Sequence, residues 1–344
     1  MYLVFLWTKM ITKNRTINIK TLKMKRMTFV VGLAIASFIL LAPQKKIYAQ
    51  TIEDAGNTFN SAIQLMQSDI PGAIAKFEEV IAMCEKIGES GNELKTQAQN
   101  QLPILYYNYA VNLQSSQNYD QAIEACNKAI QTGQQVNNAD IIAKAVNLTA
   151  QLYMVKGNDY FKNKDFDQAI ANFDQAIALD SNLYRAYYGK LLVYREQDKY
   201  KEMDEMLEKV KATSTQDPDF AQKTQALVAR EYSIAAAKAI QAKNSSLALN
   251  YCEKALSLGD TTANTYYYQT LAANMEKKYS LAAEAAQKAL ELEQKDKNKI
   301  YFELGKAYEG LGKTTEACAA YKNVTAGPLV QNAQYQIKQV LKCK

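Results

Sequence analysis

One stretch limits what this chain can fold into more than any other: residues 150–183, AQLYMVKGNDYFKNKDFDQAIANFDQAIALDSNL. At helical spacing it places Tyr153, Gly157 and Tyr160 on one face of a first short helix, and Phe166, Ala169, Phe173 and Ala176 on a second. Residues three and four apart stack on the same side of a helix, so each segment presents a single packing stripe. Gly157 and Ala169 fall where two antiparallel helices must approach closely, and the aromatic residues fill the space around that contact. Asp180, Ser181 and Asn182 then supply turn chemistry before the next helix.

The arrangement resembles the tetratricopeptide repeat, a 34-residue helix-turn-helix unit that stacks into a solenoid. Ser181 stands where that family usually has proline, and Lys156 where it usually has leucine. Related small residues recur at Ala73, Ala122, Ala169, Ala248, Ala282 and Ala317, with Met203 taking the place of an alanine between them. The successive intervals are 49, 47, 34, 45, 34 and 35 residues. Three match the family length, and three are 11–15 residues longer, which longer helices or an inserted turn would absorb. The resemblance implies an all-α fold, a right-handed superhelical solenoid of antiparallel helix pairs. The expected array covers residues 50–328 in about seven units, and residues 329–344 form a C-terminal capping helix whose apolar positions recur at Leu329, Ala333, Ile337 and Val340 or Leu341.

Charge separates the chain into two regions. Residues 1–50 hold nine of the 41 Lys and Arg residues and no acidic residue, so the remainder carries 32 basic against 35 acidic side chains. The net charge of +6 therefore belongs to the leader, and the body is no nucleic-acid binder by bulk charge. Within residues 1–49, Lys23, Lys25 and Arg26 precede an apolar run from Thr28 to Ala42. Fifteen residues make a helix of about 22 Å, short of the roughly 30 Å hydrocarbon core. This reads as a secretory signal cleaved after Ala49 or Gln50, with Met24 or Met27 as alternative starts. The expected location is the periplasm or cell envelope; an uncleaved inner-membrane anchor is the alternative.

The sequence contains no histidine, which removes the commonest general base and every histidine-containing nucleophile pair or metal site. Phosphate-binding glycine motifs are absent too. The five cysteines, Cys84, Cys126, Cys252, Cys318 and Cys343, show no metal-ligand spacing. Cys126 and Cys252 occupy the position of Phe173 and read as small core residues. Cys318 and Cys343 lie in the last unit and the cap, where an oxidising compartment would permit a disulfide, and the odd total leaves at least one thiol free or paired between chains. No catalytic residue, cofactor or metal is expected.

In the family resembled, the first helix of each repeat lines a partner-binding groove. The resemblance assigns that role to Tyr107 and Asn108, to Asn158, and to Arg185, Tyr188 and Arg195. It adds Asn264, Tyr267, Tyr268 and Asn274, then Lys299, Phe302, Glu303 and Lys306. Tyrosine and arginine are common interface anchors, though this fold also needs aromatics between its helices. The Lys, Asn and Arg set with which one subtype grips a peptide's terminal carboxylate is not present as a set. The leading expectation is a non-catalytic, exported protein that binds a protein or peptide. A structural component assembled through repeat surfaces or ends is the main alternative, with a small-molecule or glycan receptor or an enzyme behind it.

Overall fold

The computed structural model describes residues 51–344; the leader and its expected export signal lie outside the described residues. The described chain is an all-α helical-repeat solenoid. Its helices are α1 (Ile52–Leu65), α2 (Ile70–Ile87), α3 (Asn92–Ser115), α4 (Tyr119–Gln135), α5 (Ala139–Lys162), α6 (Phe166–Leu179), α7 (Tyr184–Glu196) and α8 (Tyr200–Thr213). They continue with α9 (Pro218–Gln241), α10 (Ser245–Ser257), α11 (Ala263–Met275), α12 (Tyr279–Leu292), α13 (Asn298–Gly310), α14 (Thr314–Lys322) and α15 (Val330–Tyr335). Each helix through α14 packs on the next. In addition α1 touches α3, α3 touches α5, α5 touches α7, α9 touches α11 and α11 touches α13. Thus α1 to α7 and α9 to α13 form two runs of side-by-side odd-numbered helices, joined where Tyr184 and Tyr188 of α7 pack on Phe220 of α9.

The uneven repeat length has a simple cause. α3, α5 and α9 each contain 24 residues, whereas α7, α11 and α13 contain 13. Eleven extra residues are about three helical turns. Longer helices, not inserted domains, thus account for most of the three stretched intervals. Pro103 sits inside α3 and removes one rung of its hydrogen-bond ladder. Pro218 instead opens α9, where Asp217 caps the helix by accepting from the Phe220 N–H at 3.2 Å.

Six odd-numbered helices end alike. Gln117, Lys164, Asp198, Lys243, Lys277 and Gly312 adopt left-handed backbone with φ of 53–71°. The next residue's N–H then reaches back five residues: Asp165 to the Tyr160 carbonyl at 3.0 Å, Asn244 to Ala239 at 2.9 Å, Lys313 to Tyr308 at 2.9 Å. This Schellman closure satisfies carbonyls the helix end would orphan. Asp165 and Asn244 then cap the helix that follows, accepting from Gln168 and Leu247 N–H at 3.2 Å each. One residue closes the first helix and opens the second, which fixes a tight antiparallel pair.

Side-chain size is traded across each pair. The ring of Phe173, fully buried, lies against Gly157; Tyr321 lies in the same way against Gly305. Cys126 and Cys252, sixteen residues after Ala110 and Ala236, are fully buried small side chains, as their register predicted. At the C-terminus, Ala333, Leu329, Ile337 and Leu341 cover Ala317, Tyr321 and Val324. The cap is a six-residue helix followed by a wider turn, Gln336–Val340, rather than one regular helix. A disulfide between Cys318 and Cys343 (Cα–Cα 5.8 Å) ties it to α14, and Cys84, Cys126 and Cys252 remain buried thiols.

Candidate functional site

Among the odd-numbered helices, α9 borders two adjoining cavities. Its buried side carries Val228, Tyr232, Ala236 and Ala239, leaving Ala226, Arg230, Ile234 and Lys238 as a stripe at four-residue spacing on the other side. That stripe separates two cavities of about 680 and 600 Å³, both lined by Ala226, Arg230 and Ile234. The first is closed by Arg195, Glu196 and Asp198 from α7 and the turn after it. The second is closed by Asn264 and Tyr268 of α11 with Asp260 and Thr262 before it. A hydroxyl chain braces this second cavity: Ser233 and Thr265 are 2.8 Å apart, and Thr265 donates to Asp260 at 2.8 Å.

Charges along the groove are unequally paired. The Arg195 guanidinium holds Glu196 at 2.6 Å, and the Lys238 ammonium holds Asp198 at 3.1 Å. Arg230 is exposed and forms no ion pair among the described residues. Ile234 beside it keeps 40% of its surface in solvent. A free guanidinium next to an exposed branched apolar side chain offers both a charge and a desolvation contact to a docking segment.

A separate cavity of about 490 Å³ lies where α11 and α13 end against α12 and the cap, lined by Asn274, Tyr279, Phe302, Lys306, Glu309, Gly310 and Gln336. Glu303 is buried behind it and holds two partners. The Asn274 amide donates to its carboxylate and to its backbone carbonyl, both at 2.9 Å, and the Lys306 ammonium lies 2.9 Å from the same carboxylate. Glu309 accepts from the Tyr321 hydroxyl at 2.9 Å. Burial, reinforced by that bond, pushes the Tyr321 phenol well above its ordinary range.

The fourteen groove residues expected from sequence divide by environment. Arg195, Asn264 and Tyr268 line the middle groove, and Asn274, Phe302 and Lys306 line the C-terminal cavity. Glu303 is buried and acts through Asn274 and Lys306. Tyr188 is packed edge-on against Phe220 (5.0 Å), and the Arg185 guanidinium lies 5.3 Å from the same ring, so both tie α7 to α9. Tyr267 lies beneath the Lys299 ammonium at 4.8 Å, and burial pushes its phenol up to about 12. Tyr107 is half-buried against the α4–α5 core, while Asn108 and Asn158 are exposed and line none of these three cavities. Sequence reasoning missed Arg230, Ile234 and Gln336. A repeat register that begins at residue 229 cuts α9 in half, and only the 226–230–234–238 spacing would have shown the stripe.

Among the described residues no group of three or more Cys, Asp or Glu is placed to hold a metal, and no helix is long and apolar enough to cross a membrane. Tetratricopeptide-repeat family models match residues 104–132, 150–183 and 299–326. No protein of curated function matches the sequence. Among solved structures, the chain is similar to MamA (21% identity over 56% of this chain and 95% of that one, TM-score 0.34). It is also similar to YrrB, described as a TPR protein with an unusual peptide-binding site (20% identity, 51% and 84% covered, TM-score 0.33). The TPR domain of P58(IPK) covers more of the chain, 84% of this one and 98% of its own, at 13% identity and a TM-score of 0.32. Three separate stretches of this helical-repeat solenoid are thus tetratricopeptide repeats.

Proposed function

We propose that this protein is a non-catalytic, exported scaffold that holds an extended segment of a partner protein along the groove of α7, α9 and α11. Tetratricopeptide repeats support protein–protein interaction. The observation that carries the groove reading is the pair of adjoining cavities sharing Ala226, Arg230 and Ile234. A surface pre-formed on packed helices lowers the ordering cost of binding, because the partner alone loses freedom. Export rests on the basic, then apolar, leader.

Affinity capture from an envelope extract tests the groove, comparing the native chain with an Arg230→Ala, Ile234→Ser double variant whose helicity is unchanged by circular dichroism. A partner held by the native chain and lost by the variant is the expected outcome; a partner held equally by both sinks the groove assignment. Intact mass tests export independently. Trp7 is the single tryptophan, so the processed chain contains none.

End-to-end assembly is the second reading, and one observation favours it. The first turn of α1 carries Glu53 and Asp54, and α1 exposes Ile52 and Ile63; the cap carries Lys338 and Lys342 and exposes Tyr335 and Val340. Opposite charge and apolar surface at the two ends suit a head-to-tail contact between copies. Sedimentation that does not change with protein concentration or salt would remove it.

A further inference from the structure

We propose that the cavity between α11, α13 and the C-terminal cap receives a basic side chain of the bound segment, a lysine ammonium or an arginine guanidinium. The proposal deepens the groove reading and rests on it for the source of that side chain.

Four features of the cavity converge on a cation that brings N–H donors. Its walls contain two carbonyl-type oxygens with no donor, Asn274 Oδ1 and Gln336 Oε1, both buried from water. Asn274 itself is 8% exposed, and its amide is oriented by the two bonds to Glu303, so its oxygen is left facing no partner. A buried acceptor without a donor is costly, and a ligand that supplies one recovers that cost. The second feature is charge. The wall carries one carboxylate, Glu309, and one ammonium, Lys306, and the charge of Lys306 is already taken up by Glu303 buried behind the wall. Glu309 accepts a single hydrogen bond, from Tyr321, and its other oxygen is unpaired.

Helix polarity adds the third. Asn274 stands in the last turn of α11, and Glu309 and Gly310 in the last turn of α13. The negative ends of these two helix dipoles bear on the cavity against one positive end, that of α12, which Tyr279 opens, and the balance favours a cation. The fourth is the pair of aromatic walls, Phe302 and Tyr279, which suit the alkyl stem of a lysine or the plane of a guanidinium. Tyr279 is held there because its ring lies against Gly310, where a Cβ would come within 2.5 Å of it. An anion would meet the Glu309 carboxylate and two helix C-termini. A quaternary ammonium would leave both orphan oxygens unsatisfied.

The position also fits one continuous ligand. Asn264 lines the middle groove and Asn274 the cavity, both on α11. Ten residues of helix separate them, about 15 Å, a distance an extended chain covers in about five residues.

The test is a nuclear magnetic resonance titration of the purified protein with its disulfide closed. The probes are Nα-acetyl-lysine methylamide and Nα-acetyl-arginine methylamide, with the norleucine and citrulline analogues as neutral isosteres. Saturable shifts of the Gly310 backbone amide and the Asn274 and Gln336 side-chain amides, with the cationic probes only, are expected. Equal shifts with the neutral isosteres, or none with the cations, overturn the proposal. Glu309→Gln keeps an acceptor for Tyr321 and should weaken lysine-probe binding about tenfold, as loss of a charge-assisted bond does. Should that variant fold poorly, Gln336→Ala on the partly buried cap serves, and unchanged affinity there overturns the proposal. Spermidine binding without binding of either capped cation would reassign the cavity to free amines and overturn the peptide source. Arg230 and Ile234 lie outside this cavity. Capture that fails while the lysine titration succeeds therefore sinks the groove alone, and the reverse sinks the cavity alone.

Discussion

Phe173 is wedged between two glycines of successive repeats: a Cβ built on Gly157 would lie 2.7 Å from its ring, and one on Gly189 2.4 Å. Gly157 belongs to the same repeat as Phe173 and Gly189 to the next, so one side chain sets both the spacing within a pair and the spacing between pairs. Contacts that carry from each repeat only to its neighbour are what propagate a solenoid.

Gly189→Ala is therefore expected to destabilise the protein by about 1–3 kcal/mol, the usual cost of forcing a methyl group into a full core. Gly56→Ala is the matched control, since a Cβ there meets nothing within 4 Å and alanine is the better helix former by about 1 kcal/mol. Urea unfolding should move the midpoint down for the first variant and up for the second. A shift in the same direction for both would detach the effect from Phe173.

Lys164 closes α5 with φ of 60°, a conformation that costs an L-residue about 1–2 kcal/mol. Its side chain is exposed and makes no ion pair. Lys164→Gly removes that strain and returns part of the gain as unfolded-chain entropy, for a net stabilisation of about 0.5–1 kcal/mol. A rise in the thermal midpoint checks it, and an unchanged or lower midpoint would contradict it.

How far such features can be read from sequence depends on their range. Gly157, Ala169 and Phe173 recur at helical spacing within one 34-residue unit, so their contact is legible from the pattern alone. Gly189 has no signature of its own, because its small size answers a ring contributed by the preceding repeat. The same limit explains the groove. Asn264 and Tyr268 follow from repeat register, whereas the stripe of Arg230 and Ile234 runs back to Ala226 in the three extra turns of α9 that precede the register's start at residue 229. Tyr188 was legible as a large aromatic on a first helix but not as a structural one, since Phe220, which it packs against, lies in that same extension. The site's least legible member is Gln336, brought to Asn274 by a cap that apolar contacts and the Cys318–Cys343 link hold against α14.

Alkali should unfold the protein through its buried phenols. Tyr267 is pushed up to about 12, first by burial and then by the nearby Glu303 carboxylate, against about 10 in an unfolded chain. The folded state therefore favours the neutral phenol. Its stabilisation is complete below pH 10 and is lost as pH rises from 10 towards 12, because the unfolded chain releases that proton first. Burial likewise pushes the Cys252 thiol up to about 12. Tyrosinate absorbance at 295 nm should lag a denatured control across this range, and Cys252 should resist thiol reagents until the lag ends. Free titration of all tyrosines near pH 10 in the folded protein would contradict both.

Reduction should act on the cap first. The Cys318–Cys343 link closes a loop with a sequence separation of 25 residues, for which chain-entropy arguments give about 3 kcal/mol of stabilisation. The apolar contact of Ala333, Ile337 and Leu341 with Tyr321 remains without it, so the cap should fray while the repeats persist. Hydrogen exchange is then expected to accelerate in residues 314–344 and to stay unchanged in α1–α8. A Cys318→Ser, Cys343→Ser double variant should reproduce the pattern without reductant. Because Gln336 reaches the cavity only from the docked cap, the same treatment should also weaken binding of the capped lysine probe. Exchange that accelerates evenly along the chain would show that the disulfide stabilises the whole array rather than its end.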